Sequence, residues 1–173
     1  MTRQTKVVSV EPISQPIISV SGLRGLIASQ LTPLVVTRYV AAFCSRLKGD
    51  TVVIARDGRQ SGAMLAQSVA STLMANGCHV FDAGVAATPT VGVLVRSHQA
   101  AGGIQISASH NPVEYNGLKL FNSDGRVVPA VEGKKILEAY QQGEATWNGV
   151  LDIGTYRLLE QPHHDHLKLV LDS

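Results

Sequence analysis

Charge is scarce in this chain. Only 16% of its 173 residues are charged, and the formal net charge is +2. That balance gives no electrostatic case for nucleic acid or an anionic membrane, and no basic run is long enough to make one locally. Aromatics are scarcer still, at 5%. Residues 1–16 hold no apolar core of signal-peptide length, and no run approaches the ~18 apolar residues of a membrane helix. With only two cysteines, Cys44 and Cys78, there is no disulfide framework. Their apolar contexts predict small buried hydrophobes, and a reduced cytoplasmic setting is expected. A G-x-S-x-G elbow, internal repeats and low-complexity segments are all missing.

What is present is apolar material. Hydrophobic residues make up 45% of the chain, enough for one globular domain with a real core. Residues 1–15 read as a flexible leader. A short strand over Pro16–Val20 runs into a Gly-flanked turn carrying Arg24. Thr32-Pro33 is a helix start, cap then first-turn proline, with Val35, Tyr39, Phe43 and Leu47 following at helical spacing to Gly49. "TVVIAR" is a strand buried on both faces, and it delivers the polar turn Asp57–Gly62. A second helix runs to Asn76, with Leu65, Val69, Thr72 and Leu73 inward and Gly77 as its stop. "CHVFDAG" is the next strand, Thr88-Pro89 opens a third helix, and Gly102-Gly103 precedes the strand "IQIS". Pro129 starts a last helix with Ile136, Leu137 and Tyr140 on one face. Strands alternating with helices predict a three-layer α/β/α domain around a mixed, mainly parallel sheet. The tail, "PHHDHLKLVLDS", begins an amphipathic helix with nothing left to bury it, and reads as the start of a further domain, the alternative being a helix that packs back on its own domain.

The stretch "GGIQISASHNPVEYNGLKLFN" interrupts this regularity. Alternation puts Ile104 and Ile106 on one face and Gln105 and Ser107 on the other. After the loop, Leu118 and Leu120 take one face and Lys119 and Phe121 the opposite one. Asn116-Gly117 is a left-handed turn signal that starts the return strand. Hairpins usually turn in roughly two to five residues, so about ten suggests a loop kept for function. Pro112 stiffens the loop near Ser109, and the return strand brings Lys119 back past its exit. A hydroxyl and an ammonium at one sheet edge suit a phosphate group; a polar surface loop is the bland alternative. Adjacent Ser109 and His110 do not make a hydrolase triad.

At these residues the chain resembles the α-D-phosphohexomutases, the family of phosphoglucomutase, phosphomannomutase and phosphoglucosamine mutase. "ISASHNPVEYNGLKLF" is similar to the family's active-serine loop. "SGLRG" at 21–25 is similar to its N-terminal arginine loop. "ARDGRQSG" at 55–62 is similar to its Gly-Arg-Asp-x-Arg-x-Ser-Gly turn, with Ala55 replacing the usual glycine. The three motifs span roughly residues 17–130. The resemblance implies a phosphoryl group on Ser109, passed to a hexose 1- or 6-phosphate through a bisphosphate intermediate. It implies Ser109, Lys119, Arg24 and His110 as the catalytic residues, with Lys119 and Arg24 the cations at the transferring group, and His110 and Asn111 also shaping the loop and contacting phosphate or sugar. Arg24, Ser109, Asn111 and Lys119 would thus bind substrate. Arg56 and Arg59 are expected to buttress the loops through ion pairs and stay off the catalytic list.

The family's metal is Mg²⁺, held by an Asp-rich loop of its second domain plus one oxygen of the phosphorylated serine. Ser109 is therefore at most one ligand here, since no D-x-D-x-D loop occurs. His163, His164, Asp165 and His166 lack the context of a metal motif. The implied organisation is a leader (1–15), the first domain (16–150), and a linker with the start of a second domain (151–173). The implied partners are a phosphosugar and the remaining domains of the same protein. Alone, the chain is expected to be silent. The rival readings are a stand-alone phosphosugar-binding domain and one chain of a split mutase. The identity of the hexose stays open.

Overall fold

A computed structural model describes residues 16–19 and 22–173; the leader expected over 1–15, together with Val20 and Ser21, lies outside the described residues. Seven strands form one sheet: β1 (Ile17–Ser19), β2 (Gly22–Leu26), β3 (Thr51–Arg56), β4 (His79–Val85), β5 (Gly102–Ile106), β6 (Tyr115–Asn122) and β7 (Tyr156–Leu158). Their spatial order is β1-β2-β6-β5-β3-β4-β7. β5, β3, β4 and β7 pair in parallel, whereas β5/β6, β6/β2 and β2/β1 pair antiparallel. Five strands (β2, β3, β4, β5, β7) therefore point one way and two the other. The expected mixed, mainly parallel sheet is present.

The helices are α1 (Pro33–Cys44), α2 (Gly62–Ala75), α3 (Thr88–Ser97), α4 (Ala130–Gln142) and α5 (His164–Leu171). Strand alternation sorts the core into two faces. Val52, Ile54, Ile104, Ile106, Leu118 and Leu120 pack against α1, α2 and α4; Val53, Ala55 and Phe121 belong to the core under α3. Each large aliphatic side chain removed from water contributes about 1.5–3 kcal/mol, and that burial drives the layering.

The connections decide where a site can form. β3 leads through α2 to β4, and β4 returns through α3 to β5 on the other side of β3. Crossovers of one hand that reverse direction must place their helices on opposite faces. Accordingly Leu65, Val69 and Leu73 of α2 join the first core, and Val91, Leu94 and Val95 of α3 join the second. β3 and β5 thus diverge at a topological switch point. Ligands of such sheets bind beyond the strands' carboxyl ends, here at the turn after Arg56 and the loop after Ile106.

Local signals hold at most helix ends. The Thr32 hydroxyl accepts the Val35 amide at 3.3 Å, with Pro33 in the first turn, and Gly143 closes α4 at φ 70°. Three expectations need correction. Arg24 lies in the middle of strand β2 and not in a turn, because β2 pairs with β1 on one side and β6 on the other. α1 stops at Cys44 rather than Gly49, because Ser45 turns its hydroxyl back to the Ala42 carbonyl (2.9 Å) and Arg46 and Leu47 tighten into shorter-range bonds. Asn116-Gly117 is no left-handed turn; both residues lie inside β6 with ordinary negative φ.

Toward the far edge, β7 pairs with β4 and α5 packs against α3, where His166 Nδ1 meets Thr90 Oγ1 at 2.8 Å. Leu167, Val170 and Leu171 remain exposed. Cys78 is buried and Cys44 half-buried; the Cys78 thiol donates to Cys44 Sγ at 4.0 Å, with no disulfide between them. Among the described residues no helix is long and apolar enough to cross a membrane.

Candidate active site

Cross-strand register assembles the floor. One row across the antiparallel strands reads Ile17, Arg24, Gly117, and Ser107 closes it by donating its amide to the Gly117 carbonyl at 2.9 Å. The next row reads Ser19, Gly22, Lys119, Gln105. A side chain at 117 would collide with the Leu23 carbonyl oxygen, 2.5 Å from where its Cβ would stand, so glycine is required for close approach there. Helix α3 lies over β3 and β5. Above the rows is a cavity of about 290 Å³ whose walls include Arg24, Lys119, Ser107, Asn111 and Gly22.

Among the described residues no carboxylate lines this cavity, and two cations do. Arg24 donates from Nη1 to Asn111 Oδ1 at 2.8 Å, which fixes its fork against the loop. Lys119 has no hydrogen-bond or ion-pair partner among the described residues. A cavity walled by a tethered guanidinium and an unpaired ammonium, with hydroxyl and amide groups around them, suits a phosphate-bearing ligand.

The loop from Ser107 to Glu114 leaves the sheet directly above. Ser109 has φ 57°, a left-handed conformation uncommon for a non-glycine residue. Its amide donates to Ser107 Oγ at 3.0 Å, and the Asn111 amide to the Ala108 carbonyl at 3.1 Å. Ser109 and His110 are exposed on the crest, and their Oγ and Nδ1 lie 3.4 Å apart.

Arg59 holds this shape. Its Nη2 donates to the carbonyls of Ser109 (3.0 Å) and Asn111 (2.7 Å), and its Nη1 to those of Pro112 (2.7 Å) and Tyr115 (3.1 Å). Asp57 orients the fork, taking Arg59 Nε at 3.1 Å on one oxygen and the Arg59 amide at 3.0 Å on the other. One planar guanidinium thereby satisfies four loop carbonyls, which an ammonium cannot do from a single position. The buried Asn116 adds a second tie, donating from Nδ2 to Ser61 Oγ at 2.9 Å and accepting the Gly117 amide. The sequence-expected ion pair exists but stays inside the turn; the turn supports the loop through carbonyl oxygens.

The structure therefore brings Arg24, Asn111 and Lys119 to one cavity and sets Ser109 and His110 on the loop above it, outside the lining. Ser107, Arg59 and Asn116 were not singled out for these contacts by sequence reasoning. Side-chain bonds to backbone carbonyls leave no residue-type pattern from which to read them.

A magnesium ion finds an incomplete donor set. Among the described residues no group of three or more His, Cys, Asp or Glu is arranged to hold a metal. A phosphorylated Ser109 would offer one oxygen and no carboxylate cluster beside it.

Comparison with known proteins identifies the family. Residues 15–147 match the family described as phosphoglucomutase/phosphomannomutase, alpha/beta/alpha domain I. A probable phosphoglucosamine mutase of Thermococcus gammatolerans is 35% identical over 155 residues, 88% of this chain and 34% of its own length. A phosphoglucosamine mutase of Prochlorococcus marinus is 42% identical over 127 residues, 72% of this chain and 26% of its own. The crystal structure of a putative phosphomannomutase from Thermus thermophilus superposes with a TM-score of 0.74 at 30% identity, covering 85% of this chain and 33% of that one. The chain thus spans a quarter to a third of the length of these curated relatives, 26% and 34%. By sequence and by fold, it belongs to the phosphoglucomutase/phosphomannomutase family, as that family's α/β/α domain I.

Proposed function

We propose that this chain is the phosphoserine-bearing first domain of a phosphohexomutase, interconverting hexose 1-phosphate and 6-phosphate through a bisphosphate intermediate. One observation carries the reading: Arg59 holds the Ser109 loop in its left-handed turn beside a carboxylate-free cavity walled by Arg24 and Lys119. Phosphoryl transfer needs alignment and charge neutralisation more than covalent assistance, and these residues supply both.

In the forward step the bond between phosphorus and Ser109 Oγ breaks as one forms to the free sugar hydroxyl. The sugar hydroxyl's proton replaces the phosphoryl group on Ser109 Oγ, so the step balances with no net proton released. After the bisphosphate turns over, the second phosphoryl group returns to Oγ. Lys119, unpaired on the cavity wall, neutralises the group in transit. Arg24, tethered to Asn111, holds the developing charge in a fixed fork. His110, 3.4 Å from Ser109 Oγ, orients the hydroxyl.

Residues 16–150 form the working domain and 151–173 lead toward the next. The remaining domains of the same protein supply the other magnesium ligands and the sugar recognition, so the chain alone is inactive. The setting is cytoplasmic. Glucosamine phosphate is the first sugar to assay, given the names of the relatives.

The test is phosphopeptide mapping of the complete protein after incubation with hexose 1,6-bisphosphate. The label is expected on Ser109, and Ser109→Ala is expected to abolish sugar-phosphate exchange. A label elsewhere, or full exchange by the alanine variant, overturns the reading and favours a phosphosugar-binding domain.

A further inference from the structure

The amino end of the parallel strands holds a pair of side chains that the phosphate site does not use. Helix α1 ends at Cys44, and Cys78 stands immediately before β4. Their sulfur atoms are 4.0 Å apart, in contact and about 2 Å beyond the length of a disulfide bond. They are the only cysteines in the sequence. Cys78 is held by its backbone. Its amide donates to the Leu73 carbonyl at 2.9 Å, and its carbonyl lies against Gly154, where no side chain would fit. Cys44 keeps part of its surface open to solvent. The contact also sorts the two thiols chemically. When Cys78 ionises, the donor role passes to the Cys44 S–H, which lowers the Cys78 thiol against burial and the charge of Asp50. The same contact, then burial, pushes the Cys44 thiol up. One sulfur is thus the readier nucleophile, and the other stays protonated beside it.

We propose that Cys44 and Cys78 are a reversible thiol pair, closed to a disulfide by hydrogen peroxide. The Cys78 sulfur attacks one peroxide oxygen, the O–O bond breaks, and the displaced hydroxide leaves as water with the Cys78 proton. The Cys44 sulfur then attacks the sulfenic acid so formed. The S–O bond breaks, and the hydroxyl leaves as water with the Cys44 proton. Two thiols lose two electrons and two hydrogens, and the peroxide is reduced to two waters. A thiol reductant reopens the bond by exchange. The disulfide staples the last turn of α1 to the start of β4, joining residues 34 apart in the chain. Such a staple stabilises chiefly by removing freedom from the unfolded chain. It forms at the end of the sheet opposite the loop after Ile106, and neither cysteine lines the phosphate cavity.

The test uses the 173-residue chain, which carries no other thiol. Folded chain is treated with a small excess of hydrogen peroxide, free thiols are capped with N-ethylmaleimide, and the digest is mapped without reductant. The expected product is a peptide linking Cys44 to Cys78, two hydrogens lighter than its parts and released by dithiothreitol. The bond is then equilibrated in glutathione buffers, in folded chain and in chain unfolded by urea. Folding should favour the disulfide by about 30 to 700 times, the ratio that matches the usual stability contributed by such a bond. By the same linkage, the oxidised chain should melt at a higher temperature than the reduced one.

Cysteines that stay reduced, end as separate sulfinic acids or link only between chains overturn the proposal. So does a disulfide no more favoured in the folded chain than in urea, because the native contact would then contribute nothing to the bond. The proposal stands apart from the Ser109 reading, whose test follows covalent phosphate.

Discussion

The two halves of the sheet are built on different principles. In β3, the centre of the parallel half, Val52, Val53, Ile54 and Ala55 are each at most 1% exposed, sealed by helices on both faces. β2 and β6, in the antiparallel half, bury Leu23, Leu118 and Leu120 on one face and give the other to Arg24, Lys119 and two glycines. The first half holds the fold together. The second spends one of its faces on an ionic cavity and relies on its neighbour for support. Stability and chemistry are therefore expected to separate on mutation.

The largest effect tests that separation directly. Ile54→Ala removes a fully buried side chain from the parallel half and should cost about 2–5 kcal/mol in urea unfolding. Lys119→Ala should move the same curve by no more than about 0.5 kcal/mol while abolishing measurable phosphate binding. Equal losses from the two variants would erase the distinction. Next comes Gly117→Ala, which sets a methyl against the Leu23 carbonyl and forces β2 from β6. Thermal melting should show a loss of about 1–3 kcal/mol, with weakened phosphate binding because Arg24 and Ser107 flank that position.

Arg59→Lys keeps the charge and discards the fork. About 1–2 kcal/mol of stability should go, and hydrogen exchange should rise in the Ser107–Glu114 loop and leave β3 and β4 protected. The smallest effect lies at the far edge, where the Tyr156 hydroxyl donates to Asp82 at 2.7 Å. Burial, then that bond and the carboxylate's charge, push the Tyr156 phenol up to about 12. A raised value means the neutral phenol is the stabilising form. Its contribution is complete below about pH 10, the ordinary tyrosine value, and fades as pH rises through about 12. Tyr156→Phe should cost about 0.5 kcal/mol at neutral pH. The gap between variant and parent melting curves should close across that window; a constant gap would discount the bond.

The same division explains what the sequence made legible. Continuous apolar strands and Thr32-Pro33 announce the layers because burial and capping act on residue types, and the Pro89 of Thr88-Pro89 marks the first turn of α3. Alternation around Lys119 was equally plain. The loop's conformation was not. Asn116-Gly117 carries the usual mark of a left-handed turn, yet that backbone angle falls on Ser109, held by the nearby Ser107 hydroxyl and by Arg59 from outside the local sequence. The reach of Arg59 ends on carbonyl oxygens, which every residue has. Spacing revealed the arginine without revealing its targets.

The arginine that gathers four carbonyls also sets how the loop can move. Pulling the guanidinium away frees the oxygens of Ser109, Asn111, Pro112 and Tyr115 together, since none can leave the fork while the others keep it in place. The loop should open as a single cooperative unit, with its amides sharing one opening rate. A nucleophile mounted this way occupies two discrete states, held or released, with no gradual slackening between them.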